Sequence, residues 1–356
     1  MIEDKNPSRT PISELGEFGL IEHLTKNIQL QNPSTLKGVG DDAAVMNPEG
    51  NLVLTSTDML VEGVHFDLAY VPLKHLGYKA AVVNFSDIYA MNGTPTQLFV
   101  SLAVSNRFPV EAVEEIYEGL LTACKHYGVD LVGGDTTASN SGLILSLTVN
   151  GLASADEVIY RSGAKVNDLI VVTGDLGAAY MGLQVLEREK QVFLVNPEMQ
   201  PELAGHEYVL ERQLKPEARK DIKDTLKGLG ILPTAMIDLS DGLSSDLLHI
   251  LNASGVGCRI YEEKLPIDPT VYNLCDEFSL NTTTVVLSGG EDYELLFTVP
   301  IEHHQNITQN PNLTIIGHIT EAKTGNYLIT RADEAVELKA RGWNALLNKD
   351  ASDQVE

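Results

Sequence analysis

The chain has 356 residues, 43% of them hydrophobic, which is enough for two domains with cores of their own. Its 50 acidic side chains outnumber 25 basic ones, giving a net charge of -25, so DNA or RNA would be repelled and nucleic-acid binding is disfavoured. A small phosphorylated ligand remains compatible with that charge, because a bound divalent cation reverses the local sign of an acidic pocket.

The first ten residues are polar and are expected to be loose. From Glu14 to Asn27, Leu15, Phe18, Ile21, His23 and Leu24 fall near one face, which predicts a helix. Leu52 to Thr57 reads as a strand. Pro72 to Ala90 reads as a helix, with proline near its start and Asn92-Gly93 stopping it. Gln97 to Val104 follows as a strand and Pro109 to Tyr127 as a long amphipathic helix ended by Gly128. Asp130 to Val132 and Leu143 to Leu152 give two more strands. This order, with antiparallel mates, predicts helices on one face of a sheet.

After Asp156 the pattern restarts. Leu169 to Thr173 reads as a buried strand, Ala178 to Glu189 as a helix, and Gln191 to Lys215 as a polar surface excursion. Ala235 to Asp238 is an expected strand, Leu243 to Ala253 a helix and Gly257 to Tyr261 a strand. Val285 to Leu287, Glu294 to Val299, Leu313 to Ile316 and Tyr327 to Ile329 complete the expected strands. The boundary between the two units falls near 152–160. No repeat or low-complexity tract is visible.

The cysteines, Cys124, Cys258 and Cys275, are odd in number and lack C-x-x-C spacing, so they read as reduced packing residues. The start, Met1-Ile2-Glu3-Asp4-Lys5, lacks the basic-then-apolar design of a secretory signal. No apolar run approaches the roughly 20 residues of a membrane-spanning helix. The expectation is a cytoplasmic protein with no membrane partner.

The chemistry lies in short apolar stretches that run into aspartate. These are Gly40-Asp41-Asp42, Ser56-Thr57-Asp58, Ser86-Asp87, Gly133-Gly134-Asp135-Thr136-Thr137 and Asp238-Leu239-Ser240-Asp241-Gly242. Each alone fits a turn or a helix cap. Asp87 is the exception, because it falls inside a predicted helix, where aspartate is a poor residue and no cap is needed. Five such motifs together suit hard divalent cations that hold phosphates. Three further features have competing readings. His65, in Val61-Glu62-Gly63-Val64-His65-Phe66, reads first as a core histidine in a strand-like run. Arg161 reads as a phosphate clamp or a surface ion pair. Ser288-Gly289-Gly290-Glu291-Asp292-Tyr293-Glu294 reads as a hairpin turn with solvated charges. There is no phosphate-binding lysine loop, no kinase H-R-D set, no G-x-S-x-G elbow and no zinc spacing.

Taken in order, these segments, with Thr57 through Phe66, Arg161-Ser162-Gly163-Ala164 and Gly342-Trp343, resemble the thiamine-monophosphate kinases of the aminoimidazole-ribonucleotide-synthetase-like ATP-binding superfamily. The likeness runs from Gly16 to Trp343. It implies an α+β fold of two α/β-sandwich-like domains, at 12–152 and 153–345, with flexible tails at 1–11 and 346–356. The N-terminal sheet, with helices on one face, would pair across a homodimer. It further implies transfer of the γ-phosphoryl group of ATP to thiamine monophosphate, with several Mg2+ ions and no general base. By the same resemblance Asp42, Ser56, Thr57, Asp58, Asp87, Asp135, Asp238 and Asp241 would hold the metals. Tyr117, Gly134, Asp135, Arg161 and Ser240 would contact the nucleotide, and His65, Glu291 and Trp343 would receive thiamine monophosphate.

The chain departs from the family pattern in its polar N-terminal extension and in the Gln191–Lys215 excursion. The alternative is another ATP-dependent member of the superfamily acting on a different small phosphorylated or amide substrate. The absence of a C-terminal cysteine argues against the hydrogenase-maturation branch. The absence of a reactive N-terminal cysteine in a Gly-rich stretch argues against selenophosphate synthetase.

Overall fold

The structure, a computed structural model, describes residues 35–37, 41, 44–47, 50–105 and 108–340. The helix predicted over Glu14–Asn27 lies outside them. The first half contains β1 (Thr35–Lys37), β2 (Ala44–Met46), β3 (Leu52–Val61), α1 (Leu73–Ala90), β4 (Thr94–Val104), α2 (Val110–Tyr127), β5 (Asp130–Ala138) and β6 (Ile144–Ala153). Its strands lie in the order β1-β2-β3-β6-β4-β5. All neighbours are antiparallel except β4 and β5.

Alternation along β3, β4 and β6 sends Leu54, Leu60, Leu98, Val100, Leu145 and Leu147 to one face. There they pack under Leu76, Phe85 and Ile88 of α1 and Ile116 and Leu120 of α2. The two helices approach unusually closely, because a Cβ at Gly77 would overlap the Ile116 carbonyl and one at Gly119 the Lys74 carbonyl. The opposite face of the sheet carries the exposed Met59, Phe99 and Leu152.

The second half contains β7 (Leu169–Thr173), α3 (Ala178–Val195), α4 (Glu207–Leu214), α5 (Lys220–Gly228), β8 (Ala235–Asp238), α6 (Leu243–Ser254), β9 (Val256–Tyr261), α7 (Pro269–Glu277), α8 (Thr282–Ser288), β10 (Leu295–Val299), α9 (His304–Thr308), β11 (Leu313–Glu321), β12 (Asn326–Ile329) and β13 (Ala335–Glu337). The strand order is β13-β12-β9-β11-β7-β10-β8. Both faces are covered. Ile170, Val172 and Leu296 pack into one cluster, while Leu169, Val171, Leu295 and Phe297 pack into another. This explains why β7 and β10 are continuously apolar.

The mixed α/β architecture of two sheets with helices agrees with the sequence reading, but several elements differ. Val285–Leu287 is not a strand; it lies in α8, whose N-cap Asn281 accepts from the Thr284 N–H. Its Thr and Val residues mimic strand composition, but tertiary packing overrides that preference. The Gln191–Lys215 stretch is not simply an excursion. α3 continues to Val195, and α4 returns to bury Val209 beside Gly182. α5 and α7 were not expected, although Asp268-Pro269 is a helix-start signal that α7 uses. β3 and β5 run further than expected, so Asp58 and Asp135 lie within strands and do not end them.

Helix α1 is buried along nearly its whole length because the second half covers the side that the first sheet leaves open. Its Ser86 Oγ donates to Asp238 Oδ2 of β8 at 2.6 Å, with both side chains buried. Asn92 of the first half donates to the Glu157 carbonyl at 2.8 Å. Tyr78 and Tyr127 both donate to Glu217.

Candidate active site

Where the halves meet there is a cavity of about 980 Å³. β3 contributes Ser56, Thr57 and Asp58, and the turn after it contributes His65. Helix α1 contributes the stripe Leu76, Lys79, Val83 and Asp87, which a 3.6-residue period places on one side. Arg161 comes from the connecting segment, Asp238, Ser240 and Asp241 from the end of β8, and Glu291 and Tyr293 from the turn before β10. Of the candidate residues, Ser56, Thr57, Asp58, His65, Asp87, Arg161, Asp238, Ser240, Asp241 and Glu291 line this one cavity.

Local bonds show how they are brought together. Ser56 Oγ donates to Asp87 Oδ2 at 2.6 Å, joining β3 to α1. The Arg161 N–H points at Asp41, 3.2 Å from Oδ1, and its guanidinium Nε is 4.0 Å from the same oxygen. The buried Tyr293 phenol is raised well above its usual range by burial first, then by the charges of Glu291, Asp58, Asp238 and Asp241. These four carboxylates, on three different segments, line the same cavity as the ring.

His65 is not the core histidine of a strand. β3 ends at Val61, and the turn that follows brings His65 to the cavity. Its Nδ1 accepts the Val61 N–H at 3.0 Å, which leaves the ring proton on Nε2. Burial lowers its pKa, partly countered by Glu291, so the imidazole is neutral at neutral pH.

The cap reading of Ser240 and Asp241 also fails: α6 begins at Leu243, its N-cap is Gly242, and no side chain caps it. Two of the charges of the 288–294 segment, Asp292 and Glu294, are buried and not solvated. Glu294 is 2% exposed and paired with Arg212 at 3.0 Å and Arg219 at 2.5 Å. Burial pushes the carboxyl of Asp292 up to about 7, against the lowering effects of Arg212 and the Gly177 N–H.

Three candidates lie elsewhere. Tyr117 is partly buried against the first core. Asp135 is exposed on β5, in register with Ser101 of β4, and does not line the cavity. Gly134 has a structural reason to be glycine, because a Cβ there would overlap the Val100 carbonyl of the paired strand. Asp42 and Trp343 lie outside the described residues.

Sequence reasoning passed over Lys79, Gln213, Asp67, Glu187 and Lys190, all on the cavity wall. The one available signal was Lys79, a single cation in the otherwise apolar run from Leu76 to Val83.

Among the described residues, no group of three or more His, Cys, Asp and Glu side chains converges to hold a metal alone. The donors present are hard oxygens on separate elements. Such a set fits Mg2+, which keeps several waters and takes one or two carboxylates together with phosphate oxygens. The residues that would hold it are Ser56, Thr57, Asp58, Asp87, Asp238 and Asp241.

Residues 40–153 match the family model of the AIR synthase related protein N-terminal domain, and residues 165–329 match that of the C-terminal domain. The chain is 35% identical to the thiamine-monophosphate kinase of Aquifex aeolicus over 335 residues, covering 93% of this chain and 98% of that protein. It is also 35% identical to the Bacillus subtilis enzyme of the same name, covering 93% and 99%. A solved structure, "AaThiL complexed with AMPPCP and TMP", superposes with a TM-score of 0.78 at 32% identity, covering 95% of this chain and 99% of that one.

Proposed function

Because the chain belongs to the thiamine-monophosphate kinase family of AIR synthase related proteins, we propose that it moves the γ-phosphoryl group of ATP onto thiamine monophosphate, giving thiamine diphosphate and ADP. This would be the last step of thiamine diphosphate biosynthesis, in the cytoplasm. The observation that carries the reading is a cavity whose oxygen donors come from both halves of the chain, as two mutually repelling phosphate groups require. The solved relative complexed with AMPPCP and TMP supports the same pair of ligand classes.

The acceptor is a phosphate monoester, mostly dianionic at neutral pH because its second pKa lies near ~6, so no general base is needed. Catalysis then consists of in-line positioning and charge neutralisation. Bound Mg2+ supplies Lewis-acid neutralisation of the phosphate oxygens. Around it, Asp58 and Asp87 act from the first half and Asp238 and Asp241 from the second. Arg161 contributes a fixed cation for the nucleotide phosphates, and Ser240 a hydroxyl. The neutral His65 donates from Nε2 to an anionic oxygen, while Glu291 faces the cationic thiazolium.

Tyr117, Gly134 and Asp135 are assigned to a second copy of the chain. In this reading a homodimer buries the open face of the first sheet, where Met59 is 55% and Phe99 38% exposed. Domains at 12–152 and 153–345, metal sites including Asp42, and stacking of the substrate on Trp343 complete the proposal.

The test is an ADP-release assay with ATP and Mg2+, offering thiamine monophosphate, thiamine and an aminoimidazole precursor in turn. Thiamine monophosphate alone should elicit turnover. Equal turnover with the aminoimidazole compound would overturn the assignment.

A further inference from the structure

Lys79 lies in the middle of α1, only 6% exposed, and the phosphoryl-transfer chemistry leaves it without a role. A buried ammonium is unfavourable unless it is paired and hydrogen-bonded. Its Nζ donates at 3.0 Å to Glu291 Oε2 and at 2.9 Å to the Gln213 carbonyl. That carbonyl belongs to the last turn of α4, where a cation complements the helix terminus. The Gln213 side chain then closes a triangle, its Nε2 donating at 2.8 Å to the same Oε2. A carboxylate can only accept, so the Gln213 amide must turn its NH2 to Glu291. Its Oε1 is left buried with no hydrogen-bond partner among the described residues.

An orphaned buried acceptor is destabilising, and an apolar side chain of similar size would remove it. The bond to Glu291 is what the Gln213 amide supplies in exchange for that orphaned acceptor. Glu291 itself has φ +59 and Tyr293 has φ +51, both in the left-handed region that side chains other than glycine rarely adopt. The Glu291 N–H is fixed to the Ser240 carbonyl at 2.8 Å and that of Tyr293 to the Leu239 carbonyl at 2.9 Å. Backbone and carboxylate are thus held separately, the first by the β8 end and the second by α1 and α4.

We propose that Lys79 and Gln213 are positioning residues which lock the Glu291 carboxylate in the orientation that receives the cationic substrate, so that α4 helps set substrate affinity. The proposal rests on the reading of Glu291 as a thiamine monophosphate contact. Because both bonds fall on Oε2, the carboxylate cannot rotate without breaking them.

The experiment compares wild type, Lys79→Met, Gln213→Met and Glu291→Gln, with each of the first two also combined with Glu291→Gln. KM for both substrates, kcat and the melting temperature are measured. Each single variant at 79 or 213 should raise KM for thiamine monophosphate about tenfold, leaving kcat and KM for ATP within about threefold. In the Glu291→Gln background neither should add more than about twofold, the non-additivity expected of residues acting through one group. Gln213→Met should melt close to the wild-type temperature, because removal of the orphaned acceptor offsets the lost bond to Glu291, while still raising that KM, a split that a purely structural role would not give. Parallel losses in both KM values, or full losses on top of Glu291→Gln, would overturn the proposal while leaving the kinase reading intact. A wild-type protein that makes no thiamine diphosphate would overturn both.

Discussion

Replacing Ser86 by alanine tests the joint on which the two-sided site depends. Ser86 Oγ donates at 2.6 Å to Asp238 Oδ2, from the middle of α1 to the last residue of β8. The serine is fully buried and Asp238 is 3% exposed, so water cannot take the hydroxyl's place. A hydrogen bond to a charged group is worth roughly 1.5–3 kcal/mol, and withdrawing a donor from a buried carboxylate forfeits most of it. We therefore expect Ser86→Ala to destabilise the protein by about 2 kcal/mol. Urea unfolding followed by circular dichroism would measure it, with Asp238→Asn and the double variant completing a cycle. The coupling energy should exceed about 1 kcal/mol. Coupling below about 0.5 kcal/mol, the range of independent sites, would refute the claim that this bond ties the halves together.

Other outcomes follow from the same geometry. Gly119→Ala should cost about 3 kcal/mol of stability, because its Cβ would overlap the backbone of α1; unchanged thermal unfolding would contradict the close helix crossing. His249 has its pKa lowered from 6.5 to about 4 by burial and then by Arg161. The unfolded chain therefore takes up this proton first as pH falls. The contribution is complete above pH 6.5, is lost progressively toward pH 4, and has an upper limit of roughly 3–3.5 kcal/mol. In His249→Gln that acid-side slope should flatten when melting temperature is plotted against pH. Asp135→Asn should lower turnover by about 100-fold, the scale for losing one group that stabilises transition-state charge, without shifting the melting temperature of so exposed a position. Mixing inactive Asp135→Asn with inactive Asp87→Asn should restore roughly a quarter of wild-type activity if a two-fold dimer builds each site from both copies. No restoration would remove Asp135 from the shared site.

The repeating aspartates were legible because each sits beside a strand or helix that hydrophobic patterning reveals. Asp87 was the clearest, since an aspartate within an apolar helix has no local reason to be there, and it faces the cavity. Local patterning could not show that Asp58 and Asp135 lie within strands of one sheet yet only the first reaches the cavity, because that depends on strand order. It also could not show that Glu294 is buried. Its partners Arg212 and Arg219 are 82 and 75 residues earlier, the first on the Gln191–Lys215 stretch read as surface because of its polarity and the second just beyond it. Val285–Leu287, which continues a run of three threonines, was misread for the opposite reason, since local composition argued for a strand and the Asn281 cap and tertiary packing gave a helix.

The central claim is that carboxylates from both halves act on the same metal-bound phosphates. Titration of Mn2+ into the protein with a non-hydrolysable ATP analogue, read by electron paramagnetic resonance, tests it most directly. The account predicts that Asp87→Asn and Asp238→Asn, one in each half, both weaken nucleotide-dependent Mn2+ binding by at least about tenfold, roughly 1.4 kcal/mol. Wild-type binding in either variant would contradict it.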